Sequence, residues 1–343
     1  MDQNNLNTKF VDVVSQITDI GKNWHSNDLI VNAKNNLPFC KKSFKDLPPL
    51  SELKQRSAIV VSAGPSLHKY NVLQKLKASN YNGSVVVVDG SLVKCLKNGI
   101  IPDYVLTLDP HPTRMVRWFG DNDFEENTRH DDYFSRQDLD VEFRNNSIRE
   151  NQENIELINK YASQIKLIIC SSAPKNVVDR AREAGFDMYW WNPIVDAPQN
   201  PESLTRQIYN INKKSCMNTG GTVGTAAWVF ANAILKIPKI GITGMDLGYH
   251  SDTPIEMTQT YYELQEFVNS PEELAQLFPR FTFPLTGEEF YTDPTYYWYR
   301  KNFLDLHSRS AGNTYNCSES GTLFASDNSI NCIPFDVFLN KGF

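Results

Sequence analysis

The chain has 343 residues, room for one large domain or two modest ones. With 41% hydrophobic and 22% charged residues it is too apolar to be a disordered chain. Its formal charge of −6, with no dense Lys/Arg run, excludes broad affinity for nucleic acid but not a local pocket for one small anion.

In chain order, the N-terminal MDQNNLNTKF has no apolar signal core, which predicts a cytoplasmic location. Phe10, Val13, Val14, Ile17 and Ile20 recur at helical spacing. Residues 1–56 therefore read as a helical lead-in and linker, ended by Pro48-Pro49. From Ala58 the texture becomes strand, turn, helix: Ala58–Val61 is apolar, Gly64-Pro65 turns, and Leu67, Tyr70, Leu73 and Leu76 predict one helix. Val85–Val88 has no polar alternation, as in a parallel strand buried on both faces. Asp89-Gly90-Ser91 and a short helix stopped by Gly99 follow, and Tyr104–Leu108 predicts a third strand ending at Asp109-Pro110.

Residues 119–154 are charged and read as an exposed, lid-like insertion. The alternation then resumes with a strand at Lys166–Cys170, a helix at Lys175–Ala184, and a weaker strand at Met188–Trp191. Thr219-Gly220-Gly221 opens an apolar helix expected to reach Leu235, before a strand at Lys239–Thr243. The stretch 251–343 is rich in aromatics, with a helix over Tyr296–His307 and short strands after Tyr315. Repeated strand–helix alternation predicts a doubly wound, mostly parallel α/β sheet over residues 57–343. The longest apolar stretch, Ala226–Ile242, is broken by Lys236, Pro238 and Lys239, so no membrane span is expected. Six cysteines without a CxxC pair read as reduced thiols, not a zinc site.

In open α/β sheets ligands sit beyond the carboxyl ends of the strands. Four such ends are polar here: Ser62-Ala63-Gly64-Pro65-Ser66, Asp89-Gly90-Ser91, Asp109-Pro110-His111 and Gly244-Met245-Asp246. The first should expose backbone N–H groups to a phosphate, with Gly64 allowing close approach, though Gly-Pro-Ser also serves as ordinary turn chemistry. A bulky residue at 64 is accordingly expected to abolish binding without unfolding the chain. Gly220-Gly221-Thr222 is a second anion site by the same logic, or a close-packing device. Neither segment is a P-loop, and GxGxxG is missing. Asp89, Asp109 and Asp246 could meet a ribose, a metal or a proton, or merely cap turns. His111, His250 and His307 are acid/base candidates, with solvation or packing as the alternative. The tyrosines at 291, 296, 297 and 299 with Trp298 read as core or interface before sugar platform.

Six runs occur in the order found in MptE-like proteins: IVVSAGPSLHK (59–69), VVVVDGSL (85–92), NGIIPDYVLTLDPHP (98–112), NTGGTVGTAA (218–227), IGITGMDLGYH (240–250) and YNCSESGTL (315–323). The chain thus resembles a family that includes the central domain of motility accessory factor (Maf) flagellin glycosyltransferases and the archaeal 6-hydroxymethylpterin diphosphokinases. Its lead-in looks more like the Maf side, and the likeness spans roughly residues 20 to 340. The same runs are similar to bacterial sialyltransferases, with Ala63 where those carry an asparagine.

The resemblance implies a Rossmann-like, sialyltransferase-like transferase moving a sugar, such as a nonulosonic acid, from a nucleotide donor to a glycan or protein. Ser62–Ser66, Gly220–Thr222, Gly244 and Asp246 would hold the donor, Asp89 or Asp109 its ribose or the acceptor, and His250 or His307 the acceptor proton. The alternative is an ATP-dependent kinase acting on a pterin, with Mg²⁺ on Asp109 and Asp246; no other cofactor is implied. A non-catalytic nucleotide-binding protein is the third reading.

Overall fold

A computed structural model describes residues 7–23, 26–129, 141–327 and 329–341. The side chain of Ile20 and residues 130–140 of the expected insertion lie outside that description. The chain forms two compact units, one from Met1–Trp24, Lys54–Gly83 and Gly220–Phe343, the other from His25–Leu53 and Ser84–Thr219.

In the first unit the strand Ala58–Val61 pairs in parallel with Lys239–Thr243, Ala58 opposite Ile240 and Val61 opposite Thr243. Asn313–Asn316 runs parallel on the other side of Lys239–Thr243, and Asn331–Cys332 parallel beyond it. Ala58–Val61 is buried along its whole length, which explains why the run carries no alternation. A small antiparallel sheet joins Arg280–Thr282, Glu289–Tyr291 and Tyr249–His250.

The amphipathic stripe of the first helix, Thr8–Asn23, finds its partner late in the chain. Phe10 and Val13 are buried with Leu264, Leu277, Phe281 and Tyr297, and Val14 and Ile17 pack on the same cluster. Phe10 meets Tyr297 edge to face at 5.1 Å. Burying a phenylalanine this completely contributes about 1.5–3 kcal/mol.

The second unit stacks Lys42–Ser43, Asp187–Ile194, Lys166–Cys170, Tyr104–Thr107 and Ser84–Val88 in that order, all parallel. Cys216–Asn218 pairs with the far end of Asp187–Ile194. Asn36 ties the helix Ser26–Asn36 to this sheet by donating to the carbonyls of Ser171 and Ala173 at 2.9 and 2.7 Å.

The mostly parallel α/β class expected from the alternation is the architecture found. Three elements differ in detail. The helix expected from Leu67 to Leu76 is two, Ser66–Lys69 and Val72–Ala78, parted at Asn71, whose φ of 51° breaks the helical path. The apolar helix after the glycines is α-helical only over Val223–Val229 and widens into a π-helix over Phe230–Ile234. Met188–Trp191 grows to the eight-residue strand Asp187–Ile194. No helix among the described residues is long and apolar enough to cross a membrane.

Candidate functional site

Because Ala58–Val61 and Lys239–Thr243 are parallel neighbours, the loops leaving their carboxyl ends lie side by side. The Gly64 amide donates to Gly244 O at 2.8 Å, and the Ser62 amide donates to Thr243 O at 2.8 Å. Gly244 takes φ of +68°, and a Cβ there would stand 2.7 Å from Ser62 O, so only glycine fits both the turn and the approach. The third loop closes on the same place: a Cβ on Gly224 would lie 2.8 Å from Ser62 Oγ. Ser62, Gly64, Gly224, Gly244 and Asp246 therefore meet within one unit.

Asp246 is buried, and both its oxygens are engaged by Ser66. Ser66 N–H donates to Oδ2 at 3.0 Å and Ser66 Oγ–H to Oδ1 at 2.6 Å. Burial raises its carboxyl above the ordinary aspartate range, opposed by those two hydrogen bonds. The carboxylate thus anchors the turn from beneath. A Cβ on Gly64 would come within 2.5 Å of Asp246 Oδ2, so this glycine answers a packing need. The expectation that a bulky residue at 64 would spare the fold is corrected accordingly.

A second correction concerns which amides are available. Along the turn, the N–H groups of Ser62, Gly64, Ser66 and Leu67 all donate inward, and Pro65 has none. Ala63, which is exposed, keeps an N–H with no acceptor among the described residues. In the neighbouring loop Thr222 caps its helix, its Oγ1 accepting from the Thr225 amide at 3.0 Å. That leaves the Val223 and Gly224 amides, in the helix's first turn, without acceptors among the described residues. The amides left over among the described residues are therefore those of Ala63, Val223 and Gly224, which the glycines alone do not single out. The Thr-x-x-Thr spacing at 222–225 is the cue that could have located them.

Two histidines of this unit, His250 and His307, sit in different surroundings. His250 is half-buried on Tyr249–His250, with Nδ1 at 2.5 Å from Asp252 Oδ1. His307 is packed against Trp228 and Phe303, ring centres 6.0 and 6.3 Å away, and desolvation lowers its pKa, keeping the ring neutral.

Sequence reasoning placed the 291–299 aromatics in a core or interface and missed their order. Asp293 caps the helix Pro294–Ser308 by accepting the Tyr296 amide at 2.8 Å. Tyr249 is stacked between Tyr291 and Tyr296, each 5.3 Å away. Tyr296 approaches Tyr299 at 6.3 Å, and Tyr299 meets Trp298 at 5.3 Å. The row ends on the glycine loop: a Cβ on Gly221 would lie 2.6 Å from Tyr299 and 3.1 Å from Trp298.

The second unit carries Asp89, Asp109 and His111. Val88 is opposite Leu106 in adjacent parallel strands, which puts both carboxylates at strand ends. Asp89 begins the helix Asp89–Lys97, accepts the Gly90 amide at 2.7 Å, and is only 4% exposed. Burial pushes its carboxyl up to about 7; the Gly90 amide, the Thr107 hydroxyl and Arg117 oppose this, while the charge of Asp109 adds to it. Asp109 accepts the His111 amide at 2.8 Å, fixing a local turn.

These features define a mostly parallel α/β protein whose strand-end loops converge in the first unit around amides that have no acceptor among the described residues. Residues 30–129 match the family model described as 6-hydroxymethylpterin diphosphokinase MptE-like. The MptE-like resemblance is borne out over that stretch, which holds Ser62–Ser66, Asp89 and Asp109. Among solved structures, the Maf glycosyltransferase from Magnetospirillum magneticum AMB-1 has a similar fold, with a TM-score of 0.52 at 16% identity over 92% of this chain. The chain spans 41% of that protein's length. No curated protein matches it.

Mg²⁺ on Asp246, as the kinase alternative requires, does not fit the donor set: the carboxylate is buried and each oxygen already accepts from Ser66. No group of three or more His, Cys, Asp or Glu suited to a metal occurs among the described residues.

Proposed function

We propose that the chain is a nucleotide-sugar-dependent glycosyltransferase that moves a sugar of the nonulosonic-acid type onto a glycan or protein hydroxyl. The observation that carries this reading is the meeting of three strand-end loops that leave the Ala63, Val223 and Gly224 amides without acceptors among the described residues. Fixed N–H donors of this kind hold a phosphate and stabilise the charge that builds on it as the bond to the sugar breaks. His250, oriented by Asp252, takes the acceptor hydroxyl proton. The acceptor oxygen forms the new bond to the sugar carbon, and the nucleoside phosphate leaves with the old bonding pair. His307 is assigned to packing, because two aromatic rings flank it.

The family match over residues 30–129 favours a second reading, pyrophosphoryl transfer from ATP to a pterin. Both are tested by incubating the purified full chain with CMP-, UDP- and GDP-sugars, and separately with ATP plus hydroxymethyl-dihydropterin. Release of nucleoside mono- or diphosphate from a sugar donor, abolished by His250→Ala, is the expected result. AMP formed only in the presence of the pterin overturns the transferase reading, and nucleotide binding without turnover in any mixture leaves a non-catalytic binding protein.

A further inference from the structure

The row Tyr291–Tyr249–Tyr296–Tyr299–Trp298 crosses from the small antiparallel sheet to the Gly221 loop, and its far end is only half-buried. One contact places that end beside the anion donors, and a charge interaction links the middle of the row to Asp246. Tyr299 and Trp298 lie directly against Gly221, one residue before the capping Thr222 and two before the unpaired Val223 amide. Tyr296 is close enough to Asp246 for the carboxylate's charge to act on its phenol. Tyr299 is wedged between Gly221 and its ring neighbours. Trp298 packs on Tyr299 and on the Gly221 position, and its indole N–H has no hydrogen-bond acceptor among the described residues. A half-buried indole with a supporting ring on one side fits a flat, polarisable group on the other.

Unpaired amides select an anion and the indole selects a flat ring, and a nucleoside phosphate carries both. We propose that Trp298, supported by Tyr299, is the stacking platform for the base of the nucleotide donor, so that this ring and the Ala63, Val223 and Gly224 amides grip opposite ends of one nucleotide. The proposal rests on the transferase reading for its phosphate and adds the residue that recognises the base. Stacking tolerates every base, so Trp298 supplies affinity for nucleotides as a class.

The test is isothermal titration of the full chain with CMP, UMP, AMP and GMP, and with ribose 5-phosphate as the baseless probe. The proteins compared are the unaltered chain, Trp298→Ala and Trp298→Phe. Loss of one base–aromatic stack should weaken nucleotide binding about tenfold in Trp298→Ala, with Trp298→Phe restoring it to within about threefold. Ribose 5-phosphate should bind all three proteins alike. Equal nucleotide affinity in Trp298→Ala and the unaltered chain overturns the proposal. So does an equal loss for ribose 5-phosphate, which would make Trp298 a prop for the glycine loop. If the unaltered chain binds none of the nucleotides, the transferase reading fails first and takes the platform with it, an outcome told apart by a flat titration before any substitution is made.

Discussion

Asp89 offers the sharpest quantitative check. Its carboxyl is held at about 7 against an ordinary 3.8, chiefly because it is buried. A raised pKa means that the folded chain favours the protonated acid, so the contribution to stability is fully present below about pH 4 and is lost as pH climbs through about 7. A shift of about three units corresponds to about 4 kcal/mol at full ionisation. Asparagine copies the neutral acid in shape and still accepts from the Gly90 amide, but it cannot ionise. Asp89→Asn should therefore match the parent near pH 4 and exceed it progressively up to about pH 8, by as much as about 4 kcal/mol. Urea unfolding of both proteins across that range, followed by tryptophan fluorescence, measures the difference. Parallel stability curves would refute the reasoning, because they would mean that ionising Asp89 in the folded chain costs nothing.

Three further outcomes are expected. Gly64→Ala puts a methyl 2.5 Å from Asp246 Oδ2 and should cost about 1–3 kcal/mol, read as a lowered melting temperature without ligand. Ser66→Ala removes the 2.6 Å donor to Asp246 Oδ1 and leaves a buried oxygen bare, a loss of about 1–3 kcal/mol by urea titration; no loss would make the Ser66–Asp246 pair dispensable. Burial pushes the thiols of Cys95 and Cys170 up to about 12, so brief iodoacetamide treatment of the folded chain should mark the half-exposed Cys216 and Cys332 first, as mass spectrometry of the peptides would reveal.

The strands were legible wherever burial on both faces wrote a continuous apolar run. Ala58–Val61, Lys166–Cys170 and Lys239–Thr243 have the bounds their residues predict. Helix continuity was less legible, since Asn71 at φ of 51° carries no side-chain signal distinguishing it from an ordinary helical asparagine. At the candidate site, the polar strand ends pointed to the right loops, but which amides are spent inside the protein depends on pairing across 180 residues, as between Ser66 and Asp246. Local sequence cannot express such a pairing. The aromatic row was hidden for the same reason: Tyr249 and Tyr296 stack although 47 positions separate them.

The interleaving of the two units has a consequence for synthesis on the ribosome. The unit made of His25–Leu53 and Ser84–Thr219 has all its residues once position 219 has emerged, whereas the edge of Ala58–Val61 that pairs with Lys239–Thr243 has no partner until that later strand is made. For the time taken to translate those intervening residues, a valine-rich strand edge stands open to other nascent chains. A truncated transcript ending between 220 and 238 would hold that edge open permanently, and its product should be recovered in aggregates or bound to chaperones.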